Sequence, residues 1–259
     1  MPTRDEAWPE GTPNWPDLAV SDPAAAATFY GSLFGWDVPE GDESMGGYRL
    51  VTKNGRAVAG ISPLQSETDP SVWTTFFAAD DAAATAAKVV DAGGAVFFPP
   101  TAVAEQGTMA VVADSTGAVF GLWQGGNHLG VGLFNEDGTL CWNELHTRDY
   151  AAARAFYTEV FGFNYRDINS DEFIYSTFQR ASDGEDVGGM NDDPSMPEGH
   201  PNYWLTWFAA DDVDATLAKA VELGATALMP ASDSPFGRMT IVRAPHGEAF
   251  GLITLPAEQ

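Results

Sequence analysis

Cysteine is almost absent from this chain: of 259 residues only one, Cys141, carries a thiol. A lone cysteine excludes an internal disulfide. Its place in an apolar, strand-like run predicts a reduced, buried side chain in a cytoplasmic protein. Basic residues are scarce as well, with 12 Lys and Arg against 37 Asp and Glu and a formal net charge of −25. Such a surface repels phosphate backbones, which argues against nucleic acid as a partner, and it attracts cations, basic small molecules among them. The acids are scattered over loops and helix starts, as solubility alone would require, so charge by itself assigns no site. Apolar runs are short and broken by Gly, Asp or Pro, and none is long enough to span a membrane. The stretch Met1–Pro16 has neither a basic nor an apolar leader region, so no secretory signal is expected.

What the chain does have is apolar content of 44 %, aromatics at 12 %, and a repeat. WPDLAVSDPAAAATFYGSLFGW from Trp15 returns as WNELHTRDYAAARAFYTEVFGF from Trp142. AVAGI from Ala57 returns as DVGGM from Asp186, and WTTFFAADDAAATAAKVVDAGG from Trp73 as WLTWFAADDVDATLAKAVELGA from Trp204. GAVFGLW from Gly117 returns as GEAFGLI from Gly247. Four collinear matches at a nearly constant offset mean duplication. The expected domains are 12–125 and 138–257, joined by a Gly-rich linker over 126–137.

Each domain carries a weaker duplication. A strand ends in Asp, an Ala-rich helix follows and stops at Gly, and short strands come next. Asp22 with Pro23 reads as an N-cap and first helical residue, and Gly35 as the helix stop. Asp80-Asp81 opens the second helix, Ala82–Ala92, before Gly93-Gly94. The expected fold is α+β, built from four βαβββ modules with helices outside curved mixed sheets.

The run F-Y-x-x-[LV]-F-G, here FYGSLFGW (Phe29–Trp36) and FYTEVFGF (Phe156–Phe163), resembles the first module of the vicinal oxygen chelate superfamily. That superfamily holds glyoxalases, bleomycin-resistance proteins and dioxygenases. FAADD, present twice, and DSTGAVFGLW (Asp114–Trp123) are similar to its second module. The resemblance implies two cup-shaped domains arranged as an intramolecular pseudo-dimer, the second domain completing the cups as a partner subunit would. It extends to two-domain actinobacterial proteins found beside antibiotic-biosynthesis genes, which this chain resembles, and it implies little about activity.

Metal-dependent members of that family place His, Gln or Glu at four strand positions. The aligned positions here are Trp15, Gly60, Thr74 and Gly121, then Trp142, Gly189, Leu205 and Gly251. None supplies an oxygen or imidazole donor set for a divalent ion, so neither a metal nor another cofactor is expected. Strand parity instead turns aromatic rings inward. The expected ligand-binding residues are Trp15, Asp17, Thr74, Phe76, Gly121 and Trp123 in the first domain and Trp142, Trp207 and Gly251 in the second. The Trp faces offer stacking surfaces, and Gly121 and Gly251 leave bare backbone for a flat ligand, neutral or cationic. Glu144 and His146 share an inward face at i, i+2 and form the one candidate acid–base pair, which places the expected chemistry in domain two. His246, in a turn, His200, in a Pro-rich loop, and His128, in the linker, look peripheral.

The expected function is metal-independent binding of an aromatic small molecule, with a tailoring role in secondary metabolism such as isomerisation, cyclisation or assistance to an oxygenase. Alternatives are a drug-sequestering resistance protein and a metal-dependent glyoxalase-like lyase or extradiol dioxygenase. The pseudo-dimer is expected as a monomer or as a homodimer.

Overall fold

The computed structural model describes residues 2–169 and 173–256. The expected end of the second domain at 257 falls just outside them. The elements run β1 (Pro13–Val20), α1 (Pro23–Phe34), β2 (Arg49–Lys53), β3 (Arg56–Pro63), β4 (Val72–Ala78), α2 (Ala82–Asp91), β5 (Ala95–Val103), β6 (Gly107–Ala113) and β7 (Val119–Gly125). The second copy follows as β8 (Leu140–Thr147), α3 (Tyr150–Phe161), β9 (Asn164–Asp167), β10 (Ile174–Gln179), β11 (Asp186–Asp192), β12 (Tyr203–Ala209), α4 (Val213–Glu222), β13 (Thr226–Ser234), β14 (Gly237–Arg243) and β15 (Ala249–Ile253). This is the α+β arrangement expected of tandem modules. No helix among the described residues is long and apolar enough to cross a membrane.

Each helix begins where an Asp side chain accepts from the first free amides: Asp22, Asp81, Asp149 and Asp212. The first and third helices end at Gly35 and Gly162, both left-handed (φ 68° and 70°), where the cap N–H closes on the last turn. The sheet orders are β2-β3-β1-β4-β7-β6-β5 and β13-β14-β15-β12-β8-β11-β10-β9. The two domains differ in one strand. The strand that should follow α1 is reduced to an isolated bridge, Asp37 to Thr52, whereas its counterpart in the other domain is the full strand β9.

Each sheet is made from strands of one domain, so the expectation that the second domain completes the cups is corrected. What the domains share is core. One apolar cluster joins Leu18, Tyr30, Phe34 and Trp73 to Phe208, Val242 and Phe250; the other joins Phe77, Val112 and Phe120 to Tyr157, Phe178 and Trp204. Helix α1 packs on α4 and α2 on α3. Amphipathic periodicity shows that a helix face is buried but not against which sheet, and so this exchange is silent in sequence.

Two polar locks repeat across the exchange. Tyr30 donates to Glu248 Oε1 (2.8 Å) and accepts from Trp73 Nε1 (3.0 Å); Tyr157 donates to Asp114 Oδ2 (3.1 Å) and accepts from Trp204 Nε1 (2.9 Å). Burial raises the pKa of both carboxyls against the hydrogen bonds they accept. Within the expected linker 126–137, Val131 and Leu133 are buried in the clusters it crosses.

Candidate functional site

A cavity of about 710 Å³ opens on one face of the first sheet. Its floor is Trp15 and Asp17 of β1, Phe76 of β4 and Trp123 of β7; Met109 and His128 add one wall, and the segment Pro39–Tyr48 another. Of the residues expected to face inward, Trp15, Asp17, Phe76 and Trp123 line this cavity. Thr74 sits beside Asp17 in register but off the cavity wall. Gly121 is a correction. The Phe76 ring already lies over it, and a Cβ there would come within 2.1 Å of that ring. The missing side chain makes room for the protein's own aromatic, so no bare backbone faces a ligand.

The polar centre of this cup is a chain of three groups. Trp15 Nε1 donates to the Tyr48 hydroxyl (3.0 Å), which donates to Asp17 Oδ2 (2.7 Å). Burial raises the Asp17 pKa, and hydrogen bonds from Tyr48, Trp15 and Ser62 pull against that rise. Burial, followed by the charge of Asp17, drives the Tyr48 phenol well above its ordinary range, so it stays protonated and donates. The His128 imidazole stands edge-to-face to Trp15, ring centroids 4.2 Å apart. Burial takes its pKa down to about 4, so the ring is neutral at pH 7. Asp17, Glu40 and Asp42 border the cavity, and no Lys or Arg does.

The donor set does not fit the metal ion that the fold family uses elsewhere. A Cβ on Gly60 would lie 2.0 Å from the Tyr48 oxygen and 2.3 Å from Asp17 Oδ2, so the tyrosine–aspartate pair fills the space of a ligand at that position. Gly189 is overlaid in the same way by Tyr175, and Gly251 by the Trp207 ring at 2.1 Å, which corrects the flat-ligand role of Gly251 too. Among the described residues no group of three or more His, Cys, Asp and Glu converges to hold a metal.

The second cup repeats the polar chain. Trp142 Nε1 donates to the Tyr175 hydroxyl (3.0 Å), and burial, then the Glu144 charge, push that phenol's pKa far up. Glu144 and His146, paired on sequence grounds, do meet: Glu144 Oε1 is 2.9 Å from His146 Nε2. That oxygen lies out of line with the ring N–H, and Nε2 makes no hydrogen bond despite the short distance. The aligned bond is from Nδ1 to Asp193 Oδ2 (2.9 Å), a partner the sequence did not suggest. Tyr203 stacks on the imidazole at 4.8 Å.

Burial disfavours charge on His146, but the two flanking carboxylates outweigh it and lift its pKa to about 9. The same hydrogen bond holds Asp193 well below the ordinary carboxylate range. At neutral pH this is an imidazolium between two carboxylates, with His146 only 5 % exposed. The cavity described above touches none of it. Trp207 is buried and Trp142 half-buried, and Phe236, on the β13–β14 turn, packs over Tyr175 with centroids 5.6 Å apart.

Of the remaining candidates, His200 is exposed and His246 half-exposed, as expected of a loop and a turn. Cys141 is a free thiol, half-buried, its pKa raised by burial. Sequence reasoning missed Tyr48, Tyr175, His128 and Asp193. The two tyrosines carried a signal, since each follows its tryptophan by 33 residues. His128 and Asp193 carried none, because both arrive from segments beyond the strand ends.

The family model for the Glyoxalase/Bleomycin resistance protein/Dioxygenase superfamily matches residues 12–122 and 140–252. The chain is 42 % identical to "Putative glyoxylase CFP32" of Mycobacterium tuberculosis over 265 residues, covering 100 % of both chains. It is 34 % identical to "Anthracycline biosynthesis protein DnrV" of Streptomyces peucetius over 260 residues, 95 % of this chain and 94 % of that one. In fold it is similar to the Mn(II)-bound glyoxalase from Novosphingobium aromaticivorans, with a TM-score of 0.64 at 16 % identity, over 95 % of this chain and 83 % of that one.

Proposed function

This chain belongs to the Glyoxalase/Bleomycin resistance protein/Dioxygenase superfamily, and we propose that it binds a planar aromatic small molecule, without a metal ion, in the cup of its first domain. The observation that carries this reading is the cavity of about 710 Å³ floored by Trp15, Phe76 and Trp123. That volume lies within the range of small-molecule sites, and indole faces stack well on flat rings. With three carboxylates and neither Lys nor Arg on its walls, the cup favours a neutral or cationic ligand over an anionic one. The two relatives named for anthracycline biosynthesis support a tailoring role in secondary metabolism. In such a role Asp17, half-buried and hydrogen-bonded to Tyr48, is the candidate base of the first cup.

A second reading keeps Glu144 as base and His146 as its proton partner in domain two. It is favoured by their 2.9 Å approach. Glu144→Gln then abolishes turnover while ligand binding persists. The third reading, sequestration of a basic drug without chemistry, uses the same first cup and differs only in yielding no product.

The test is a fluorescence titration at low and high salt with three flat probes: neutral 2-hydroxyanthraquinone, cationic proflavine and anionic anthraquinone-2-sulfonate. The neutral and cationic probes bind and the sulfonate binds at least about tenfold more weakly, the gap narrowing with salt. Trp123→Ala weakens both binders. Equal affinity for the sulfonate, or no effect of Trp123→Ala, contradicts the proposal.

A further inference from the structure

Both repeats bring together a tryptophan, a tyrosine and a carboxylate, but they treat the carboxylate differently. In the second domain Glu144 has a cation of the protein's own beside it. His146, two residues along β8, places Nε2 2.9 Å from Glu144 Oε1. Asp193 holds the other ring nitrogen at 2.9 Å, and Tyr203 stacks on the ring. The two carboxylates keep that imidazole protonated at neutral pH.

Each member of this clamp has a counterpart in the first domain, fixed by the strand pairing. Asp17 pairs with Gly60 as Glu144 pairs with Gly189. Ala19 pairs with Val72 where His146 pairs with Tyr203. Leu64 N donates to Val20 O where Asp193 N donates to Thr147 O. The imidazolium, its anchoring carboxylate and its stacking ring are therefore replaced by alanine, leucine and valine. The cavity extends there instead: Ser62, which pairs with Ala19, lines the first cup, and so do Pro63 and Gln65 on either side of Leu64.

Nothing on the walls supplies the missing positive charge. No Lys or Arg lines the cavity, the His128 ring is neutral, and Glu40 and Asp42 are acidic. The groups that act on Asp17 are its own burial and three neutral hydrogen-bond donors, Tyr48, Trp15 and Ser62. Water can solvate such a carboxylate but cannot neutralise it. Covering it with a flat ligand is costly unless a cation arrives with that ligand. Asp17 is half-buried and borders the cavity, so a group lying in the cup reaches it.

We propose that the first cup takes a flat aromatic molecule carrying a protonated aliphatic amine, and that Asp17 is the counter-ion of its ammonium group. The inference rests on the reading that this cup is the binding site, and it narrows the ligand from neutral or cationic to cationic. The ammonium plays toward Asp17 the part that the His146 imidazolium plays toward Glu144, while Trp15, Phe76 and Trp123 offer their rings to the flat portion.

The test compares 2-(aminomethyl)anthraquinone with 2-(hydroxymethyl)anthraquinone, which match in size and differ in charge near neutral pH. Dissociation constants are measured for wild type, Asp17→Asn and Asp17→Glu. Wild type prefers the ammonium probe by at least about tenfold. Asp17→Asn keeps an acceptor for Tyr48 but no charge, and its preference falls to within about twofold. Asp17→Glu, which installs the residue of the second repeat, retains a preference. Equal affinity of the two probes for wild type overturns the proposal and leaves the cup as a binding site. An undiminished preference in Asp17→Asn overturns it too. If neither probe binds wild type, the cup reading itself falls, and the role of Asp17 with it.

Discussion

Replacing Tyr48 by Phe removes one oxygen and strands two partners. Asp17 Oδ2 loses a donor at 2.7 Å and Trp15 Nε1 loses an acceptor at 3.0 Å. A hydrogen bond to a charged group is worth about 1.5–3 kcal/mol and a neutral one about 0.5–1.5 kcal/mol. The cup is open, so water reaches the half-buried Asp17 and the lower ends apply: about 2 kcal/mol at pH 8. The cost depends on pH in a defined direction. Asp17 has a folded-state pKa raised by burial, and Tyr48 opposes that rise. A carboxyl with a raised folded pKa costs nothing where it is protonated in both states, and the cost grows as pH rises from the unfolded pKa through the folded one. Without Tyr48 the folded pKa rises further, so the variant loses more stability over the same window. Urea unfolding of wild type and Tyr48→Phe between about pH 5 and pH 8 reads the difference, which cancels the pH response of the other acids. The difference is expected to grow with pH, reaching about 2 kcal/mol, or about 4–8 °C in Tm. A difference that is flat or shrinks with pH refutes the assignment of Tyr48 as the group that keeps Asp17 ionisable.

Gly121→Ala forces the Phe76 ring, 2.1 Å from the new Cβ, into the cavity; binding of 2-hydroxyanthraquinone falls at least about tenfold and stability by about 1–3 kcal/mol. Gly251→Ala makes the same clash with Trp207 and destabilises without touching the first cup, so unchanged binding there is the check. Tyr30→Phe leaves buried Glu248 without its donor and costs about 2–3 kcal/mol in urea unfolding. Because that lock spans the two domains, its loss lowers the stability of both together, as a single shifted transition. His146 titrates at about 9; its stabilising charge is fully present below the ordinary histidine pKa and is lost as pH rises through that higher value. Asp193→Asn lowers the midpoint by more than about one unit in an NMR histidine titration. An unmoved midpoint refutes the carboxylate clamp.

The duplication was legible because its signals are local: Asp caps before Ala-rich helices, Gly at the left-handed stops, and strand alternation that turned Trp15, Asp17 and Trp123 inward. The glycines at the ligand positions were legible as a loss of donors but not in their consequence. Which ring fills a missing side chain depends on cross-strand direction, and Phe76 lies over Gly121 because β4 and β7 pair in that register. Pairing Glu144 with His146 followed from parity, whereas Asp193 enters from beyond β11 and His128 from the interdomain segment. Contacts of that kind depend on how chain ends return, which no period records. The asymmetry of the cups also hides in one place. Phe236 covers Tyr175 at a turn where the first domain has Gln106 beside the cavity.

The central proposal is an aromatic cup that binds its ligand without a metal. Its most direct test is calorimetric titration of 2-hydroxyanthraquinone into the whole chain after exhaustive chelation, and again after adding Mn(II) or Zn(II). One ligand per chain, with the same affinity in all three preparations, is the predicted result. Binding that appears only with the added metal contradicts it.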